Sequence, residues 1–261
     1  MNTSPKITET EFWNSSRDIV HFVGICGAGK STLSNRLAAR IATHGGKVIG
    51  TVDYDPHTPD TDRAAERAFS RDLDRRNIAA GCTDPAVHQE IVDHTLATLT
   101  RWMDSDANVV LVDRWYESYD LLPADHIKYI EAAISSSGFR VHHVLLLVEG
   151  KPLGNEDWVI RDRLLHTKGT RPAEWWSGGP GDLEVFVKEE QAYQEEYGAF
   201  LARSPFNSMW VRTTEMEWER YEQDIVQGLI YERWKRACSA AREPDQVALE
   251  KSILTGLTQS A

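Results

Sequence analysis

The chain is predicted to be an α/β protein in which strands and helices alternate along one main domain. Three observations carry that prediction. Five short apolar or β-branched runs are separated by longer segments with helical spacing, the first run ends in a glycine-rich loop that opens a helix, and the third ends in an aspartate.

The loop is Gly24-Ile25-Cys26-Gly27-Ala28-Gly29-Lys30-Ser31-Thr32, which fits G-x-x-x-x-G-K-[ST] at every specified position. Its chemistry points to a nucleoside triphosphate with Mg²⁺. The glycines let backbone N–H groups turn inward around phosphates, Lys30 can reach the β- and γ-phosphates, and the Ser31 hydroxyl can ligate Mg²⁺. Gly24, Gly27, Ala28, Gly29, Lys30, Ser31 and Thr32 are therefore the predicted nucleotide-binding residues.

Length and composition bound the alternatives. The 261 residues are 41% apolar, enough for one large α/β core with insertions. No run approaches the roughly 18 apolar residues of a membrane span, and residues 1–17 are too polar for a signal peptide, so a cytoplasmic protein without a membrane partner is expected. Cys26, Cys82 and Cys238 are widely separated and read as reduced thiols, Cys26 as a small loop residue. A net charge of −11 argues against a duplex-DNA binder, although Arg63–Arg76 and Arg161–Arg171 are local basic clusters.

In order along the chain, residues 1–17 read as an N-terminal tail, and residues 18–242 as the domain. Asp18–Val23 is the first strand, and Thr32–Thr43 carries Leu33, Leu37 and Ile41 at helical spacing. That helix would aim its N-terminus at the phosphates. Lys47–Val52 is a second buried strand that stops at Asp53-Tyr54-Asp55-Pro56-His57. In open parallel sheets the ligand crevice lies outside the carboxyl ends of the strands, so Asp53 and Asp55 are placed for chemistry; a proline-containing turn capped by Asp is the plainer alternative.

Residues 56–82 form a polar, Arg-rich candidate substrate-binding insertion. Asp84-Pro85 signals the start of a helix whose apolar side is Val87, Ile91, Leu96, Leu99 and Trp102. Asn108–Asp113 is a continuous apolar strand closed by an acid, the pattern of a central strand with a Mg²⁺-organising carboxylate at its tip. Behind it, Arg114, Trp115, Tyr116 and Glu117 are candidate substrate contacts, with the aromatics able either to stack on a base or to pack under a loop.

Val141–Val148 is the fourth strand. Its adjacent His142 and His143 point to opposite faces and so read as structural, because that geometry disfavours a shared metal. Residues 158–181 hold Arg161, Arg163, Lys168 and Arg171 followed by a Gly/Pro/Trp-rich stretch, which suits a basic lid that closes over a transferring phosphoryl group. Helices from about Leu183 to Leu201 and from Glu215 to Cys238 flank a fifth strand, Ser208–Thr213, and residues 243–261 read as a C-terminal helix or tail.

Taken together these residues resemble the P-loop kinases of the nucleoside and nucleotide kinase type, most closely thymidylate kinases. The likeness lies in Gly27-Ala28-Gly29-Lys30-Ser31-Thr32, in Asp113-Arg114-Trp115-Tyr116-Glu117-Ser118, which looks like the D-R-[YH] segment, and in a basic segment where the lid should be. The resemblance implies a P-loop NTPase fold, a five-stranded parallel sheet flanked by helices on both faces, and transfer of the γ-phosphoryl group of ATP to a small-molecule acceptor. It further implies that Arg114 contacts the acceptor or the transferred phosphate, that Asp113 positions Mg²⁺, that Lys30 and the lid arginines Arg161, Arg163 and Arg171 stabilise the transition state, and that Thr213 and Thr214 line the adenine pocket. A homodimer is compatible with it.

The chain departs from thymidylate kinases at two places. Ala80-Gly81-Cys82-Thr83-Asp84 stands where they carry an acceptor-binding D-R-x-x-H segment, and Asp53-Tyr54-Asp55 is more like shikimate, gluconate and uridine kinases, where an Asp orients a substrate hydroxyl. An alcohol acceptor benefits from a carboxylate that takes its proton, whereas a phosphate acceptor mainly needs positive charge. The expected acceptor is thus a nucleoside, nucleotide or similar polar metabolite, with an antibiotic or sugar-like alcohol as the alternative and a regulatory NTP-binding switch as the non-transferring one. Asp55 is the first candidate for base or Mg²⁺ ligand, and Asp53 the second.

Overall fold

The computed structural model describes residues 7–50, 72, 73, 76, 81, 83–113, 115, 122–148, 160, 163 and 180–240. Its elements run α1 (Glu9–Asn14), β1 (Asp18–Gly24), α2 (Lys30–Thr43), β2 (Val48–Gly50), α3 (Pro85–Asp104), β3 (Val109–Asp113), α4 (Ala124–Ser136), β4 (Arg140–Leu147), α5 (Pro180–Arg203), β5 (Asn207–Arg212) and α6 (Trp218–Ala240). Two compact units divide the chain, Met1–Ile225 and Val226–Ala261. The first holds the whole sheet; in the second, the described residues continue α6, where the Tyr231 and Trp234 rings meet at a tilt, 5.9 Å between centroids.

The five strands form one parallel sheet in the order β2-β3-β1-β4-β5. Strand β1 is buried along its whole length, as a central strand covered on both faces must be, which explains its nearly continuous apolar run. Register sets the geometry of the site. Phe22 of β1 pairs with Asp113 of β3, so the aspartate at the tip of β3 sits beside the loop that leaves β1 at Gly24. The chain reaches β2 and β3 on one side of β1 and β4 and β5 on the other, the topology that opens a crevice at the carboxyl ends.

Helix α3 begins as expected, with Pro85 in its first turn and the Asp84 carboxylate accepting the Ala86 N–H at 2.9 Å. Its apolar side, Val87, Ile91, Leu99 and Trp102, joins Ile130 and Ile134 of α4 and Ile19, Val110, Val112 and Val141 of the sheet in the main core. Helix α4 fills a stretch for which the sequence reading named no element.

Helix α1 lies within the segment read as a tail. Thr8 and Glu11 form a reciprocal capping box, and Phe12 and Trp13 are buried, each worth about 3 kcal/mol of transfer free energy. Arg40 of α2 donates to Glu9 at 2.6 and 2.9 Å and to Glu222 at 3.2 Å, tying α1 and the first turns of α6 to α2. Burial raises the Glu9 carboxyl, but hydrogen bonds from Arg40 and Trp13 outweigh it and hold its pKa below the ordinary value.

The two adjacent histidines of β4 do face opposite ways. His142 reaches Asp18 at 3.2 Å, alongside a bidentate Arg140–Asp18 pair at 2.7 and 3.0 Å. His143 meets His21 instead.

Candidate functional site

Leaving β1 at Gly24, the loop turns at Gly27 and Gly29 before α2 begins at Lys30. Gly27 has φ +78°, and a Cβ there would lie 3.0 Å from the Cβ of Arg163. Gly29 has φ +98°, and a Cβ would run into the indole ring of Trp218. Glycine is required at both positions for conformation and for space. As the N-cap of α2, Gly29 offers no side-chain acceptor, so the first N–H groups of the helix are left to whatever the loop encloses.

Lys30 is buried in the loop, its Nζ donating to the carbonyls of Gly24 at 2.7 Å and Ile25 at 3.0 Å. Ser31 Oγ donates to Asp113 Oδ2 at 3.1 Å. The other oxygen, Asp113 Oδ1, is buried and finds no hydrogen-bond partner among the described residues. A hydroxyl and a carboxylate with a spare buried oxygen form a hard-oxygen donor set, which fits a Mg²⁺ ion shared with a phosphate. Serine and aspartate are 82 residues apart in sequence and meet only because β3 lies next to β1.

On the other side of the loop, Arg163 is 4% exposed. Its Nη2 donates to the carbonyl of Thr213 and, at 3.0 Å, to that of Thr214, while its guanidinium lies 5.6 Å from the Trp218 ring centroid. Thr213 is buried and hydrogen-bonded back to Leu147. Arg163, Thr213 and Thr214, read separately along the chain, are thus brought together, with Arg163 against Gly27 and Trp218 beside it. An open groove of about 560 Å³ beside Trp218 is lined also by Arg36, Glu217, Glu219 and Arg220.

Trp115 is a correction. Offered as a substrate contact, it is buried in the main core, edge-on to His21 at 5.7 Å and tilted on Trp102 at 5.2 Å. Leaving a buried strand, the chain turns the large ring inward because there it removes more apolar surface from water. Thr32 is exposed on α2, and Ala28 is buried under the loop. Asp53, Tyr54, Asp55, Arg114, Tyr116, Glu117, Arg161 and Arg171 lie outside the described residues, as do Cys82, residues 243–261 and nearly all of the 56–82 and 158–181 segments.

Two residues at the loop were not anticipated. Glu190 of α5 accepts the Cys26 N–H at 2.8 Å, and Trp218 covers Gly29. The first had a faint signal in a polar residue set into the apolar stripe of α5; the second had none, because only the folded chain brings the start of α6 over the loop.

No family model matches the chain, and no curated protein matches it. Solved structures similar to it include the YorR protein of Bacillus subtilis in complex with phosphorylated GDP, 15% identical over 82% of this chain and 97% of that chain with a TM-score of 0.47. A gluconokinase from Sinorhizobium meliloti is 13% identical over 87% of this chain and 98% of its own, at a TM-score of 0.45. Shikimate kinase from Acinetobacter baumannii in complex with shikimate is 14% identical over 84% and 96%, at 0.40. At these values they carry no argument about activity. The loop at the end of β1, the parallel five-stranded sheet and the Ser31–Asp113 pair make this a P-loop NTPase fold on the chain's own evidence.

Proposed function

We propose that this chain is a kinase that transfers the γ-phosphoryl group of ATP to a hydroxyl of a small polar acceptor, a nucleoside, nucleotide or similar metabolite. The observation that carries the reading is the Ser31–Asp113 pair beside a glycine-shaped loop with Lys30 folded into it. The loop N–H groups and the α2 N-terminus bind the phosphates. Lys30 exchanges the carbonyls of Gly24 and Ile25 for β- and γ-phosphate oxygens, a neutral pair of acceptors for charged ones. Ser31 and Asp113 hold Mg²⁺, which when bound neutralises charge on the phosphates.

At the acceptor, Asp55, or Asp53 next to it, takes the hydroxyl proton as the oxygen forms its bond to the γ-phosphorus. The bond from that phosphorus to the β–γ bridging oxygen breaks, and ADP leaves with the electron pair. Arg114, with Arg161 and Arg171, neutralises charge on the moving group, while Arg163, bonded to the Thr213 and Thr214 carbonyls, braces the loop. The thymidylate kinase likeness of the Asp113-Arg114 segment favours nucleosides or nucleotides within this class, while Asp53-Tyr54-Asp55 favours a hydroxyl, with antibiotic or sugar-like alcohols as the competing acceptors.

Incubation of the protein with γ-labelled ATP, Mg²⁺ and a panel of nucleosides, nucleoside monophosphates, sugars and aminoglycosides tests this. Label appearing on one acceptor class supports the kinase. Release of labelled phosphate at the same rate with and without every acceptor would make the chain a hydrolysing switch.

A further inference from the structure

Helix α5 turns one face to the sheet, marked by Val187, Glu190, Gln194, Tyr197 and Leu201 at spacings of three and four. The C-terminal part of that face is apolar, with Leu201 packed on Val23 and Leu145 and with Tyr197 against them. Toward the phosphate loop it becomes polar. Gln194 closes two hydrogen bonds with the backbone of Val148, accepting its N–H at 2.9 Å and donating to its carbonyl at 3.3 Å. One turn earlier Glu190, 5% exposed, accepts the Cys26 N–H on Oε2.

A buried carboxylate is costly here for two reasons. It is taken out of water, and it sits at a loop built to receive a polyanion. A backbone N–H could be satisfied by an uncharged acceptor at lower cost, so satisfying Cys26 does not account for the charge. A hydrogen bond to an ionised acceptor is the stronger tether. What it tethers is the hinge of the loop. The Ile25 carbonyl, in the same peptide unit as the Cys26 N–H, accepts both Lys30 Nζ and the Ala28 N–H, and Gly27 with its positive φ follows directly.

The geometry points to Glu190 as a positioning residue of the triphosphate site, its carboxylate anchoring the Ile25–Cys26 peptide so that the loop keeps the shape its phosphates enter. This rests on the reading of Gly24–Thr32 as that site and extends it to a helix 164 residues downstream. Glu190 touches no reacting atom.

The test compares the full-length wild type with Glu190→Ala and Glu190→Gln. Binding of ATP and of adenosine is measured by calorimetry well below each unfolding midpoint. Glu190→Ala is expected to weaken ATP by about tenfold or more, the size of one lost hydrogen bond to a charged group, with adenosine unchanged. Glutamine keeps an acceptor oxygen at the same reach without the charge, so its variant is expected to recover part of the ATP affinity and to fall between Glu190→Ala and the wild type. Wild-type affinity in Glu190→Ala, equal losses for ATP and adenosine, or no recovery in Glu190→Gln would each overturn the assignment. A wild type that binds neither ATP, GTP nor inorganic triphosphate would defeat the loop reading itself, which is a separate result.

Discussion

His21 and His143 occupy matched positions on the adjacent parallel strands β1 and β4, and their Nδ1 atoms lie 3.0 Å apart with both rings fully buried. At that distance the two rings share one hydrogen bond, one Nδ1 donating and the other accepting. Phe206 packs on His143, Trp115 stands edge-on to His21, and Ser204 Oγ is 3.2 Å from His143 Nε2. Burial pushes the His143 pKa well below its ordinary 6.5, with His21 and His142 adding to the effect.

Stability should therefore depend on pH in the imidazole range. With the folded pKa depressed, the unfolded chain binds more protons below 6.5, so the contribution is complete above that value and is lost as pH falls below it. For one proton the slope reaches about 1.4 kcal/mol per pH unit. Denaturant unfolding from pH 8 to 5 should show this fall, and His143→Leu should flatten it whatever its own stability. Asp18 acts in a lower window. Burial raises its carboxyl, but the hydrogen bond and charge of His142 and then Arg140 outweigh it, so that stability is present above the ordinary 3.8 and lost as pH falls below it. A wild-type curve flat between pH 7 and 5 would refute the lowered pKa of His143.

Lys30→Ala should lower the transfer rate by about 10²–10³-fold, in the range lost when one preorganised charge donor is removed from a reacting oxyanion. The far-UV circular dichroism should stay that of the wild type, because Gly27 and Gly29 hold the turn without the side chain. Turnover at the wild-type rate would remove the phosphate assignment.

Gly29→Ala combines two penalties. A non-glycine residue at φ +98° costs about 1–3 kcal/mol, and the new methyl meets the Trp218 ring. Thermal unfolding should drop accordingly. Adding Trp218→Ala should return the part due to the ring and leave the backbone part, so a double-mutant cycle in which the two changes simply add would show that Trp218 does not press on Gly29.

Asp55→Asn should slow transfer to an alcohol by about 10²–10⁴-fold, the contribution of a positioned base, while ATP affinity stays near that of the wild type. Calorimetry and single-turnover rates separate the two quantities. Lost ATP affinity with intact chemistry would make Asp55 a ground-state metal ligand or a structural turn residue.

Much of the frame was legible because it is written in local signals. The loop motif, the continuous apolar strands β1, β3 and β4, and the Asp84-Pro85 start of α3 each depend on neighbours within a few residues. Two further elements carry local signals of the same kind. Thr8-Glu9-Thr10-Glu11 is a capping box that announces α1, and Ile127, Ile130 and Ile134 mark α4 at helical spacing. Trp115 shows the opposite limit. Its place in the chain suited a substrate contact as well as a core ring, and only its neighbours Trp102 and His21 decide for the core.

The sequence by itself determined that a glycine-rich loop with Lys30 and Ser31 would stand between a strand and a helix, because those residue types and spacings have few other uses. Only the tertiary structure decided what surrounds the loop. Asp113, Arg163, Glu190 and Trp218 come from four distant parts of the chain, and they meet because parallel strands need long crossovers and bring their carboxyl ends to one edge of the sheet. Contacts across such separations follow strand order and register, which no local pattern records.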